Sequence, residues 1–176
     1  DQIRGPLNER QHKSVGLIDQ SGRHLLTLIN DLLDLSRIEA GKLQLDRHPL
    51  QPAALLREVV ELEEPLARKK NLGLRMQFSG SQPEWVFGDG LRIKQVLFNL
   101  VNNAIKFTEA GEVHLSAHVV AIDAERATLR FGVRDTGIGI PADRFEHIFH
   151  AFTQADGRLT RSHEGIGIGL AYVDQM

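Results

Sequence analysis

The chain has 176 residues, room for one ordinary domain plus an accessory element. It is 41% hydrophobic and 25% charged, a globular composition, and its net charge of −2 gives no electrostatic case for nucleic acid or an anionic membrane as the main partner. It contains no cysteine, which excludes disulfides and thiolate zinc sites, and no apolar run approaches the roughly 20 residues of a membrane span.

Residues 9–42 are expected to form one long helix. Ile18, Leu25, Leu28, Leu32 and Leu35 follow the spacing of a heptad seam, interrupted by Ser21. Leu26, Ile29, Leu33 and Ile38 widen the stripe beyond a two-stranded seam, as in a four-helix bundle. Gly41 reads as the C-terminal cap. A helix so apolar on one side needs a partner, and too few residues precede it to supply one.

The pattern then changes. "KLQLDRH" predicts a strand, Gln51 to Lys70 a helix, "LGLRMQFSG" a second strand, and Arg92 to Phe107 a helix. "EVHLSAHVVAI" and "ATLRFGVRD" predict two strands joined through the turn-like "DAER", and a short helix is expected around Arg144 to Phe152. Strands and helices in this order argue for an α+β fold with helices on one sheet face. The domain boundary is expected after the long helix, giving 1–42 and 43–176.

In "NLVNNAIKFT", Asn99, Asn103 and Lys106 recur at i, i+4 and i+7 and share a helix face. Val96, Leu97, Leu100, Val101 and Ile105 form the side to bury. Two amides and an ammonium in a row can offer neutral oxygens to Mg²⁺ and positive charge to phosphate; they can equally be an ordinary solvated face. Further on, "RDTGIGIP" sets Asp135 at the end of a strand, followed by Gly137 and Gly139, which packing does not call for. Glycines there let a backbone approach a ligand and turn N–H groups toward anions, although a bare pair is more often a turn. "GIGIGL" places Gly165, Gly167 and Gly169 in the same way. A dinucleotide-binding fingerprint fits poorly. The Gly-x-Gly-x-x-Gly spacing is absent from that second cluster, and no strand immediately precedes it.

Taken in order, "NLVNNAIKFT", "DTGIGIP", "FEHIFHAFTQAD" and "GIGIGL" resemble the catalytic domain of sensor histidine kinases. That domain belongs to the ATPase superfamily shared with gyrase, a heat-shock chaperone and a mismatch-repair ATPase. Upstream, "HLLTLINDLLDLSRIEAGKLQL" is similar to the second dimerisation helix and connector of those kinases, and "GDGLRIKQVLFNL" to the run that leads into their asparagine box. The resemblance spans residues 9–171. It implies a helical hairpin that dimerises as a four-helix bundle, followed by a two-layer α/β sandwich of the GHKL ATPase type that binds ATP under a lid.

Residue by residue, the resemblance implies that Asp135 accepts a hydrogen bond from the adenine amine, with Gly137 and Gly139 passing close to base and ribose. Asn99 and Asn103 would hold Mg²⁺, the direct ligand being open, and Lys106 would pair with phosphate oxygen. Gly165, Gly167, Gly169 and Leu170 would meet the triphosphate at the start of a helix. Phe149 and Phe152 match the lid-anchoring phenylalanine box, or are plain core aromatics. The implied activity is transfer of the γ-phosphoryl of ATP to a histidine and then to an aspartate on a response-regulator receiver domain. The implied setting is the cytoplasmic part of an inner-membrane sensor. The implied assembly is a homodimer through the N-terminal helices, or a heterodimer with another sensor kinase, with no nucleic acid partner.

The sequence also departs from the family. "DQIRGPL" matches the phosphoacceptor motif at Ile3, Arg4, Pro6 and Leu7, but Asp1 stands where the histidine belongs. The chain is expected to lack a stretch of the family's first helix between Leu7 and Asn8, and the strands that would follow Ala171. Ile166 replaces a threonine of the second glycine box, and His150 and Ala151 replace Glu-Pro of the phenylalanine box. These departures keep open a non-phosphorylating regulator that dimerises with another kinase. A gyrase-like hydrolase would need a glutamate where Asn99 stands, and an amide cannot take the proton.

Overall fold

The computed structural model describes residues 7–80, 83–123, 125–145, 147, 148, 170 and 173. The chain divides into two units, Asp1–Leu43 and Gln44–Met176. Among the described residues no helix is long and apolar enough to cross a membrane.

The first unit is built on α1 (Glu9–Glu39). Asn8 begins it with a reciprocal cap: its side chain accepts from the Gln11 amide at 2.9 Å, and the Gln11 side chain accepts from the Asn8 amide at 3.0 Å. The expected glycine ends it. Gly41 takes φ +65°, and the amides of Gly41 and Lys42 reach back to the carbonyls of Ile38 and Arg37, each at 2.8 Å. Ile18, Leu25, Leu26, Ile29, Leu32 and Leu33 are all exposed. The side chains of Leu28 and Leu35, part of the expected seam, lie outside the description.

In the second unit, α2 (Pro52–Lys69) and α3 (Gly90–Phe107) pack on each other and on a three-stranded sheet. The sheet has the order β2 (Gly73–Ser79), β4 (Glu112–Ile122), β5 (Ala127–Asp135); β2 runs parallel to β4, and β5 antiparallel. Leu55, Leu56, Val59 and Ala67 of α2 meet Leu97, Val101, Ala104 and Ile105 of α3 and Val113, Leu115 and Ala117 of β4 in one core. On α3 the buried stripe runs 97, 101, 104, 105, whereas Val96 and Leu100, expected within it, are only half-buried. Asp123 closes the β4–β5 hairpin by accepting the amides of Glu125 and Arg126 at 2.8 Å each; these bonds hold its carboxyl below the usual carboxylate range.

One expected strand is absent. Lys42 to Arg47 alternates apolar and polar residues but has no strand beside it. β1 is only His48–Leu50, paired antiparallel with β3 (Val86–Gly88). The Asp46 amide instead donates to Asp89 Oδ2 at 3.0 Å, while Asp89 Oδ1 accepts from the Arg92 amide at 3.1 Å and caps α3.

Candidate functional site

The antiparallel register brings the Asp135 end of β5 to the C-terminal end of α3. β5 ends at Asp135, which lies opposite Val113 at the start of β4, and β4 begins just after α3 ends. The last turn of α3, the turn at Thr108–Gly111 and the segment after Asp135 therefore meet. Hydrogen bonds fasten them, among them one from Thr136 Oγ1 to the Ala110 carbonyl at 3.3 Å. The Ile138 amide donates to the Phe107 carbonyl at 3.3 Å, and the Thr136 amide to the Glu112 carbonyl at 3.2 Å. The Glu112 amide in turn donates to Thr136 Oγ1 at 3.1 Å.

Asp135 is exposed, and its Oδ1 accepts from the Gly137 amide at 2.9 Å, so one oxygen shapes the loop. The two glycines are required for different reasons. A side chain at 137 would run into the Phe107 carbonyl and crowd Thr108 Oγ1 and Asp135 Oδ1 at 2.9 Å. Packing therefore does call for Gly137, contrary to the expectation from sequence: the loop fits against the protein's own helix end. Gly139 has open space around it but takes φ +68°, so its requirement is conformational.

Asn99, Asn103 and Lys106 lie on α3 as the spacing predicts, and all three are half-buried. Burial pushes the Lys106 ammonium below the usual lysine range. Its Nζ sits 4.9 Å from the centre of the Phe107 ring. Among the described residues no group of three or more His, Asp or Glu could hold a metal; hard cations also accept amide carbonyl oxygens as ligands. The half-buried Asn99 and Asn103 offer such oxygens one helical turn apart, a donor set that suits a hard cation carrying phosphate.

Two further residues bear on this end of α3 and were not legible in the sequence. Lys70 Nζ donates to the carbonyls of Ile105, Lys106 and Thr108 at 2.8, 2.8 and 2.9 Å. Glu63 of α2 is buried beside α3; burial raises its pKa, and a hydrogen bond from the Asn102 side chain works against that rise. Contacts with backbone carbonyls leave no periodicity to read, and the Glu63–Asn102 pairing joins residues far apart in the chain.

Leu170 is helical and half-buried. Asp1, Phe149, Phe152, Gly165, Gly167 and Gly169 lie outside the described residues, as do Ile166, His150 and Ala151. Of the expected helix at 144–152, residues 144, 145, 147 and 148 are described: Arg144 ends a 3₁₀ turn that begins at Ala142, and its carbonyl accepts the amides of His147 and Ile148 at 2.9 and 3.0 Å.

Residues 88–176 match the family described as histidine kinase-, DNA gyrase B- and HSP90-like ATPase, and residues 1–41 match the His Kinase A (phospho-acceptor) domain. Signal transduction histidine-protein kinase BarA of Escherichia coli (strain K12) is 38% identical over 174 residues, covering 99% of this chain and 19% of BarA. The chain thus spans about a fifth of that relative. The crystal structure of full-length ShkA in complex with AMPPNP has a TM-score of 0.77 and 39% identity, covering 97% of this chain and 34% of ShkA. The histidine kinase ThkA in complex with the response regulator protein TrrA has a TM-score of 0.60 and 26% identity, covering 87% of this chain and 43% of that one.

Proposed function

The chain belongs to the sensor histidine kinases, within the histidine kinase-, DNA gyrase B- and HSP90-like ATPase family, and on that premise we propose that it binds Mg-ATP and passes the γ-phosphoryl to a histidine. One observation carries the reading. The Ile138–Phe107 hydrogen bond and the side-chain-free fit of Gly137 tie the Asp135 end of β5 to the Lys106 end of the asparagine helix. A ligand with a base at one end and phosphates at the other would span such a pair.

In this reading Asp135, through the oxygen not engaged by Gly137, accepts from the exocyclic amine of adenine. Guanine would present an acceptor there instead, so a site built this way rejects it. Asn99 and Asn103 hold Mg²⁺, and Lys106 pairs with phosphate oxygen. The bound ion would supply charge neutralisation at the phosphates. Partial burial, which lowers the pKa of Lys106, also strengthens its attraction to an incoming anion. Gly165, Gly167, Gly169 and Leu170 extend the phosphate contacts, and Phe149 and Phe152 anchor the covering segment. The transfer breaks the bond between the γ-phosphorus and the bridging oxygen and forms one to a neutral imidazole nitrogen. ADP leaves, and the phosphohistidine then donates to a receiver-domain aspartate. ThkA, solved with its response regulator, supports a partner of that kind. The phosphoacceptor-domain match supports a dimer through α1. The working site is on the cytoplasmic side of a sensor.

Asp1 at the acceptor position favours a second reading, a regulator that binds nucleotide and pairs with another kinase without being phosphorylated itself. Calorimetry and phosphate incorporation separate the two. ATP is expected to bind more tightly with Mg²⁺ than without, and GTP more weakly by about 10²-fold or more. Asp135→Asn is expected to weaken ATP by about 10–100-fold, the worth of a charged hydrogen bond. ATP binding with acid-labile phosphate appearing on a histidine supports the kinase, and binding without it supports the regulator. No nucleotide binding at all overturns both.

A further inference from the structure

Every helix leaves its last carbonyls without helical partners, and the partial negative charge there favours a cation. At the end of α3, Lys70 meets this need with all three of its N–H bonds, directed to the carbonyls of Ile105, Lys106 and Thr108. The intervening carbonyl, that of Phe107, is the one that accepts the Ile138 amide. Consecutive carbonyls are thus shared between the lysine and the Asp135 loop. Lys70 itself sits in a hydrogen-bonded turn at the end of α2, its amide donating to the Ala67 carbonyl at 3.0 Å. Asn71 takes φ +56°, its amide reaches the Arg68 carbonyl at 3.0 Å, and the Leu72 amide reaches the Ala67 carbonyl at 2.9 Å with both side chains buried.

We propose that Lys70 is a positioning residue for nucleotide binding. By gripping the carbonyls on either side of Phe107, it fixes the direction of the Phe107 carbonyl. Through that carbonyl it sets the Ile138 amide and the Asp135–Gly137 loop against Asn103 and Lys106. Lys70 acts through the backbone, and its effect falls on ligands that reach both ends of the site at once. The inference rests on the nucleotide reading above. A plain helix cap would lower stability and leave the affinity of the folded molecule untouched.

The test uses the whole chain carrying Lys70→Met or Lys70→Arg, compared with the parent at a temperature where all are folded. Calorimetry reads Mg-ATP and adenosine separately, and hydrogen exchange reads the Ile138 amide. Lys70→Met is expected to bind Mg-ATP about tenfold more weakly and adenosine nearly as well as the parent, with faster exchange at Ile138. Lys70→Arg, which keeps the charge and N–H donors, is expected to recover most of the loss. If Lys70→Met does not fold, Lys70→Gln replaces it. Parent-like Mg-ATP affinity in a variant with a lowered melting temperature overturns the proposal. If the parent binds neither ligand, the nucleotide reading has failed, and Ile138 exchange still decides whether Lys70 governs the loop: unchanged exchange rules that out.

Discussion

α1 and the α/β unit solve the burial problem in opposite ways. The α/β unit builds a core of its own, although Phe87, Leu91 and Ile138 stay exposed at its surface: Leu56, Val59, Val101, Val113, Leu115 and Ala117 have no exposed surface. α1 leaves Ile18 70% exposed and Leu26 62% exposed, although its caps are complete at both ends. Hydrogen bonding within a helix is satisfied locally, whereas an apolar stripe is satisfied only by a partner. A well-formed element can therefore be half of a structure.

That contrast yields predictions that act on one unit and spare the other. The largest effect is expected from Leu25→Glu with Leu32→Glu. Self-association should be lost, as read by sedimentation, while Mg-ATP affinity stays within about twofold. Equal loss of nucleotide binding would mean the units do not act separately. Gly137→Ala is the converse. The added methyl meets the Phe107 carbonyl, so folding stability should fall by about 1–3 kcal/mol and ATP affinity by about tenfold, with the oligomeric state unchanged. The smallest effect is expected at Glu63. Its folded pKa lies above 4.5, so the folded state holds the proton more tightly than the unfolded chain. This contribution is fully present below pH 4.5, and stability falls as pH rises through the raised value. Glu63→Gln keeps a hydrogen-bonding group for Asn102 but has no proton to lose. Its melting temperature should match the parent near pH 4.5 and exceed it at pH 7.5 by about a few degrees at most.

The legible parts of the fold are those whose determinants are local. β4 and β5 occupy the stretches expected from alternation, because the Asp123 turn between them is coded by neighbours. β1 and β3 carry little local signal: each is three residues long and exists by pairing with the other across an intervening helix and strand. The false strand at Lys42–Arg47 shows the same limit in reverse, since alternation without a neighbour makes no ladder. In the site, the row of Asn99, Asn103 and Lys106 was readable from helical spacing. The closeness of Asp135 to its far end depends on the β4–β5 register, and the Lys70 clamp on backbone oxygens that carry no residue identity.

The hairpin tip is useful for practical work on this molecule. β5 is nine residues long, so its two ends lie about 25–30 Å apart, with Asp135 at one end and the Asp123–Arg126 turn at the other. A dye or surface tether attached at the exposed Glu125 would sit remote from any ligand held near Asp135, giving an observer's post on the molecule that leaves its chemistry undisturbed.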